Sequence, residues 1–208
     1  GWRAALEHRP VRKVFQFFLL NAVAVAVPAT LVLFFIGDIV QRPQEAGLFL
    51  ALYFLAGLIA LPLWVALADR IGKRWAWLAG SALAAIALLG ASAVGEGDVL
   101  LYSVVCLAAG AALGADLALP TAMLADVIPE EQRHNTGLYV GIWVLIGKLA
   151  LAIAAGVTLP LLGWFDYEPG VPATAAPLLY LYVGFPIVLK AVAAVVLFRP
   201  CASSIDGR

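Results

Sequence analysis

The sequence from Leu124 to Lys148, LADVIPEEQRHNTGLYVGIWVLIGK, carries the most information about the fold of this chain. It begins at the end of one long apolar segment, crosses a short loop crowded with charged residues, and ends at a lysine well inside the next apolar segment. A lysine within a membrane-spanning segment is costly and is by default a candidate functional residue. The stretch therefore predicts two membrane-spanning helices joined by a charged loop, with Lys148 inside the second.

The composition of the whole chain agrees with a membrane protein. Of its 208 residues, 64% are hydrophobic and 12% are charged, and the mean hydropathy is +1.00. A typical soluble domain is about half apolar and about a quarter charged. The net charge is zero, so the chain offers no general basic surface for nucleic acid. We expect a polytopic protein whose surroundings are the lipid bilayer.

Charged residues divide the chain into six apolar spans, each near or above the ~20 residues that a helix needs to cross a bilayer. The spans are continuous rather than alternating, which favours helices over the strands of a barrel. The predicted fold class is an all-α bundle of six transmembrane helices in one domain, residues 1–208, with spans at about 14–36, 46–68, 75–94, 99–124, 136–162 and 175–198.

Lysine and arginine residues are distributed unevenly between the two sides of these spans. One side holds a single arginine, Arg42, and the other holds Arg3, Arg9, Arg12, Lys13, Arg70, Lys73, Arg74, Arg133, Arg199 and Arg208. Basic residues mark the cytoplasmic side. Both termini are therefore expected in the cytoplasm, and a bacterial inner membrane is the expected location. Trp64, Trp75 and Trp77 lie near that side and are expected to be interfacial anchors.

The loop after the second span, Leu67-Ala68-Asp69-Arg70-Ile71-Gly72-Lys73-Arg74, resembles the signature loop of the major facilitator superfamily. That pattern reads Gly-x-Leu-Ala-Asp-Arg-x-Gly-Arg-Lys, and Val65 stands here in place of its first glycine. Gly72 permits a tight turn. The resemblance implies that Asp69 helps close a cytoplasmic gate together with Arg70, Gly72, Lys73, Arg74, Asp126 and Arg133. Without the resemblance, an ordinary basic cytoplasmic loop explains these residues equally well.

A wider set of residues resembles one branch of that superfamily, the melibiose-permease-like glycoside-pentoside-hexuronide:cation symporters. The set comprises His8-Arg9-Pro10, the segment Leu119 to Asp126, Arg133 with Gly137-Leu138-Tyr139, Lys148, and more weakly Gly163, Tyr167, Pro186 and Lys190. The pattern is that of helices seven to twelve, so the resemblance implies the C-terminal half of a transporter. Its partner would be an N-terminal six-helix half or a second copy of this chain. A departure is Pro129-Glu130-Glu131, where family members often carry Asp-Tyr-x-Glu.

Two charged residues within the spans are the leading candidates for substrate binding or coupling. Lys148 lies about twelve residues into the fifth span, or roughly 18 Å from its end, near the midplane where such transporters bind their solutes. In the family, the matching lysine helps couple cation and sugar. Asp116 lies about eight residues before the end of the fourth span, roughly 12 Å deep. Because an intramembrane charge generally has a partner, we predict that Asp116 and Lys148 interact.

Three further residues have weaker claims on function. Lys190 lies in the last span, and snorkelling to the membrane interface is the simpler account of it. Tyr139 and Trp143 are candidates for stacking on a sugar ring, although packing explains them at least as well.

The leading functional prediction is half of a secondary transporter, a symporter that couples a sugar or related small solute to sodium or protons. One alternative is the transport of an amphipathic, lysolipid-like solute, and another is a membrane sensor or interaction protein that carries nothing. The sequence shows no metal-binding spacing, no nucleophile paired with a base and no phosphate-binding loop, so neither an enzyme nor a cofactor is expected. Because Gly1 is not a methionine, we expect the chain to be part of a longer one.

Overall fold

The computed structural model describes residues 8–129 and 135–198. Within them the chain is helical, and six helices are long and apolar enough to cross a membrane, which confirms the predicted fold class. The helices are α1 (Arg9–Phe35, continued by a π-helix at Ile36–Val40), α2 (Ala46–Ile71), α3 (Lys73–Ala91), α4 (Val99–Val127), α5 (Thr136–Trp164) and α6 (Ala176–Phe198, with a π-helix at Tyr180–Gly184). The protein is an integral membrane protein.

Each helix covers one of the six apolar spans, with bounds that differ by up to five residues, since α1 begins at Arg9 rather than at residue 14. α3 is the helix that ends earlier than its span. The third span was expected to reach residue 94, but α3 ends at Ala91. The next residues form tight turns, in which the amides of Ser92 and Val94 bond to carbonyls three residues back, and Gly97 adopts a positive φ of 78°. Composition alone hides such a turn because Ala93 and Val94 continue the apolar run. Several sequence predictions lie outside the described residues, namely those on Arg3, Arg133, Arg199, Arg208 and the acidic pair Glu130 and Glu131.

α1 and α4 form the centre of the bundle. α1 packs mainly against α5 and α6, whereas α4 packs mainly against α2 and α3. The first three helices and the last three are thus interleaved, because α1 packs on two of the last three helices and α4 packs on two of the first three. α2 and α5 are the helices least covered by the rest of the bundle.

α2 and α4 approach each other so closely that their backbones touch. A Cβ added to Gly110 would lie 2.1 Å from the carbonyl oxygen of Tyr53, and one added to Gly114 would lie 2.9 Å from the carbonyl oxygen of Gly57. The indole N–H of Trp64 donates to the carbonyl of Ala111 across the same contact, at 2.7 Å. The small residues of α4 therefore serve close helix packing, as their spacing predicted.

The bundle has two chemically different ends. At the basic end, where α1, α3 and α5 begin, Gly72 joins α2 to α3 with a φ of 86°, and Lys73 bonds to Asp126 of α4 at 2.5 Å. At the acidic end, the buried Asp38 accepts hydrogen bonds from the hydroxyl of Tyr167 and from the amide of Gly170. These bonds tie the end of α1 to the loop between α5 and α6. Burial and the bond to Asp38 both raise the pKa of Tyr167, so its hydroxyl stays protonated and remains a donor.

Two apolar clusters fill the interior, one toward each end. The cluster near the acidic end includes Phe35, Tyr102 and Tyr182, and the cluster near the basic end includes Phe17 and Met123. On α1, α4 and α6, the members of the two clusters are separated by a short middle segment. Asn21 and Lys190 lie in these middle segments, whereas Asp116 directly follows Ala115 of the cluster near the basic end, to which Trp77 also belongs.

Candidate functional site

The centre of the bundle holds a polar cluster made of Asn21 of α1, Trp77 of α3, Asp116 of α4 and Lys190 of α6. The ammonium of Lys190 donates to Asp116 Oδ2 at 2.7 Å and to Asn21 Oδ1 at 3.0 Å. The other carboxylate oxygen, Oδ1, accepts from Asn21 Nδ2 at 3.0 Å and from Trp77 Nε1 at 2.9 Å. The Lys190 ammonium also lies 5.7 Å from the centre of a Trp77 ring. Four helices therefore meet through one hydrogen-bonded ion pair.

This ion pair is removed from solvent. The side chains of Lys190 and Asp116 are 5% and 8% exposed, and Asn21 and Trp77 are fully buried. Buried charges are tolerated when they are paired and when further hydrogen bonds satisfy their remaining atoms. Both conditions are met here, because the carboxylate accepts three hydrogen bonds and the ammonium has two oxygen partners and an aromatic face.

The cluster borders a cleft inside the bundle. The cleft measures about 910 Å³, including the space at its open side, and side chains of α1, α2, α3, α4 and α6 line it. The wall is predominantly apolar, with Pro28, Tyr53, Leu88 and Leu113 among its residues, while Asp116 and Lys190 are its charged members. Ligand sites are typically apolar concavities in which a few polar groups fix orientation.

The predicted contact between Asp116 and Lys148 does not form in this structure. Asp116 is paired with Lys190, whereas Lys148 is exposed and makes no hydrogen bond or ion pair with another described residue. The two residues have comparable depth, as predicted, but Lys148 lies on the face of α5 that points away from the bundle. The snorkelling prediction for Lys190 was wrong for the same reason, since depth along a helix does not tell which way a side chain points.

The two aromatic candidates on α5 pack against other side chains of the bundle. Tyr139 is fully buried within the apolar cluster of the basic end. Trp143 stacks on Phe18 of α1, with ring centroids 3.4 Å apart and planes inclined by 9°. Both residues thus join α5 to the bundle, which agrees with the packing alternative for them.

The candidate gate residues lie at the basic end of the bundle. Asp69 and Arg70 are exposed at the end of α2, whereas Arg74 is 9% exposed. The ion pair between Lys73 and Asp126 links the start of α3 to the end of α4. The structure therefore brings Asp69, Arg70, Gly72, Lys73, Arg74 and Asp126 to one end of the bundle, and Arg133 lies outside the described residues.

Sequence reasoning missed two members of the polar cluster. Asn21 interrupts the apolar run of α1, and a polar residue in such a position signals an interior partner. Trp77 was expected to be an interfacial anchor, but it is 0% exposed and its indole N–H bonds to Asp116. Trp75, two residues earlier, is 58% exposed and fits the anchor role. Residues two apart on a helix point in nearly opposite directions, so the two tryptophans have different environments, which composition cannot show.

Comparison with known proteins places the chain in a family. The family model described as "MFS/sugar transport protein" matches residues 1–201. The human sodium-dependent lysophosphatidylcholine symporter 1 is 28% identical over 175 residues, which cover 81% of this chain and 32% of that protein. An uncharacterized symporter of Synechocystis is 25% identical over 84% of this chain and 34% of its own length.

A further relative, the Xenopus tropicalis sphingosine-1-phosphate transporter MFSD2B, is 22% identical over 81% of this chain and 34% of its own length. The chain thus spans about a third of the length of these curated relatives. With a family model that covers nearly all of the chain, and with six helices of spanning length, the protein belongs to the MFS/sugar transport family of the major facilitator superfamily.

Proposed function

We propose that this chain is the C-terminal six-helix half of a cation-coupled symporter that carries an amphipathic, lysolipid-like solute by alternating access. The observation that carries the choice of solute is the cleft, whose wall is predominantly apolar and carries one ion pair. An amphipathic molecule presents the same two chemistries, an apolar chain and a charged head. The names of several relatives, lysophosphatidylcholine symporters and a sphingosine-1-phosphate transporter, support this solute class.

The uncovered face of α5 supports the assignment as a half. Lys148 is exposed there among Gly141, Val144, Leu145 and Ala152, which are exposed as well. A lysine that faced hydrocarbon at this depth would be costly, so another protein surface or a water-filled cavity should cover it. In transporters of this superfamily, two six-helix halves enclose the central site. We infer that an N-terminal half, or a second copy of this chain, covers α5, and that Lys148 then acts in substrate binding or coupling.

The basic end has the composition expected of a cytoplasmic gate. We propose that Asp69, Arg70, Lys73, Arg74 and Asp126 belong to it, with Gly72 as its turn and Arg133 as a further member. This placement makes the basic end cytoplasmic, in agreement with the excess of lysine and arginine there. A bacterial inner membrane remains the proposed location, and sodium or protons the proposed coupling ions. The word "sodium-dependent" in the names of relatives supports sodium.

A sugar is the second candidate solute. The description of the matching family model includes sugar transport, and the resemblance to melibiose-permease-like symporters points the same way. A sugar, however, needs several hydrogen-bonding groups around it. Besides the ion pair and Cys106, the polar side chains that line the cleft are three tyrosines, and the hydroxyls of Tyr102 and Tyr182 bond to each other. The cleft therefore supports the amphipathic solute better.

Uptake by the full-length parent protein in proteoliposomes tests the proposal. The assay compares a radiolabelled lysophospholipid with a panel of galactosides, each with an inward sodium gradient, an inward proton gradient and no gradient. We expect lysophospholipid uptake that depends on one of the two gradients. Uptake of a galactoside alone would replace the proposal with the sugar alternative. A bound solute without flux under any gradient would instead support the membrane sensor.

A further inference from the structure

We propose that the Asp116–Lys190 ion pair is the headgroup site of the cleft, and that it opens to receive a zwitterionic amphiphile. The anionic group of the head, of phosphate type, would bind Lys190, and its ammonium group would bind Asp116. This inference rests on the proposed function, because it names the site and the head chemistry of the same solute class.

The pair lies where a ligand in the cleft can reach it. Asp116 and Lys190 both line the cleft and are its charged residues. The other residues that line it carry no charge and are largely apolar. A head that enters this cleft therefore meets both signs of charge at one place.

The hydrogen bonds around the pair allow the two charges to separate without either one being left bare. If the Lys190 bond to Asp116 breaks, the carboxylate keeps the N–H donors of Asn21 and Trp77, at 3.0 and 2.9 Å. Lys190 keeps the Asn21 carbonyl oxygen at 3.0 Å and the face of Trp77. The main cost of opening a buried ion pair is an uncompensated charge, and these secondary partners lower that cost.

Charge balance selects the zwitterion among possible heads. The closed pair is neutral, so a zwitterion that exchanges with it leaves the buried site neutral. An anionic head would pair with Lys190 and leave Asp116 without a counter-charge, and a cationic head would do the reverse. A neutral sugar head offers neither charge and would have to leave the pair closed.

The shape of the cleft provides room for an apolar chain. Along α4 its wall runs from Tyr102 to Asp116, fourteen residues or about 21 Å at ~1.5 Å per residue. One leaflet of a bilayer contributes about half of a hydrocarbon core ~30 Å thick, so the cleft is long enough for such a chain. With the head at Asp116, the chain would extend toward Tyr102 and would pass Cys106, which lines the same wall.

Cys106 supplies the measurement, because a ligand in the cleft should shield its buried thiol. In the full-length parent with its other cysteines replaced by serine, the rate of Cys106 alkylation by N-ethylmaleimide is measured in proteoliposomes. Four probes share a twelve-carbon chain and differ in the head: dodecylphosphocholine, dodecyl phosphate, dodecyltrimethylammonium and dodecyl maltoside, each below its micellar concentration. We expect half-maximal protection by the phosphocholine at a concentration at least tenfold lower than by the maltoside, with the two singly charged probes between them.

The combined Asp116→Asn and Lys190→Gln variant removes both charges while it keeps hydrogen-bonding groups at both positions. In this variant the phosphocholine and the maltoside should protect Cys106 at equal concentrations. Thr30→Val is the matched control, because the Thr30 hydroxyl bonds to Ala26 within its own helix, and it should keep the wild-type preference.

Two results would overturn the headgroup site. One is a wild-type protein without preference for the phosphocholine head, which needs no variant to fold. The other is a preference that survives in the folded double variant. Either result together with gradient-driven lysophospholipid uptake would refute the headgroup site and leave the proposed function intact. The expected preference without uptake would support the site and refute the transport function.

Discussion

Two lysines lie deep in the membrane-spanning helices, and the structure gives them opposite surroundings. Lys190 of α6 is 5% exposed and is held by Asp116, Asn21 and Trp77. Lys148 of α5 is exposed on a face of small and aliphatic residues. A buried and fully bonded lysine stabilises the fold of this half. An exposed lysine on an apolar face instead indicates that another protein surface or a water-filled cavity covers it. The difference separates an internal site from an interface.

The largest effect on stability is expected at the buried lysine. Lys190→Gln leaves the Asp116 carboxylate buried without its counter-charge, and breaking a buried pair in this way costs about 3–5 kcal/mol. The melting temperature of the full-length parent in detergent should fall accordingly. The combined Asp116→Asn and Lys190→Gln variant should recover part of the loss, because no buried charge remains. A melting temperature of Lys190→Gln equal to that of the wild type would show that the pair does not stabilise the fold.

The second-largest effect on stability is expected at a glycine in the contact between α2 and α4. A glycine on the exposed face of α5 serves as the comparison. Gly110→Ala places a methyl group 2.1 Å from the Tyr53 carbonyl oxygen, and such overpacking costs about 1–3 kcal/mol. Gly141→Ala, on the face of α5, meets no described atom within 4 Å. Thermal unfolding of the two full-length variants should show a clear loss for Gly110→Ala and little change for Gly141→Ala. A large loss at Gly141 would instead indicate that the other half packs directly on that glycine.

A smaller effect on stability is expected at Lys73, at the basic end of the bundle. Lys73 and Asp126 form an ion pair, but their side chains are 34% and 26% exposed, and such exposed pairs contribute about 0–1 kcal/mol. Lys73→Met should lower the melting temperature slightly at low salt. At 1 M salt the screening length is about 3 Å, and the difference from the wild type should shrink. A loss as large as that of Lys190→Gln, at any salt concentration, would contradict the contrast between buried and exposed lysines.

The sequence predicted the helices well because membrane spans depend on properties that sequence carries directly. Length, apolar composition and the position of charges are one-dimensional, and they located all six helices. The end of α3 was missed because its turn at Ser92 to Val94 consists of residues that also suit a helix. The glycines of α4 were correctly assigned to packing, since small residues at close spacing allow two backbones to touch.

The site was harder to predict because it depends on the rotation of each helix. Depth along the axis made Asp116 and Lys148 plausible partners, but depth says nothing about the direction in which a side chain points. Lys190 lies at a similar distance from its own helix end, and α6 happens to present it to α4. The bond to Trp77 depends on a third helix, α3, and no pattern within one helix reveals such a contact. The sequence signal for Asn21 is its position within an apolar span, which it shares with the three charged residues Asp116, Lys148 and Lys190.

The smallest effect on stability, and the most informative about function, is expected at the exposed lysine. Lys148→Met breaks no hydrogen bond or ion pair among the described residues, so the melting temperature of the full-length parent should stay with that of the wild type. Gradient-driven uptake should nevertheless be lost if Lys148 serves substrate binding or coupling in the cavity between the halves. The matched variant Val144→Met, one turn earlier on the same exposed face, adds the same side chain without removing a charge and should retain uptake. If Lys148→Met destabilised the protein as strongly as Lys190→Gln, a structural ion pair with the other half would explain Lys148. Both lysines would then have a structural role.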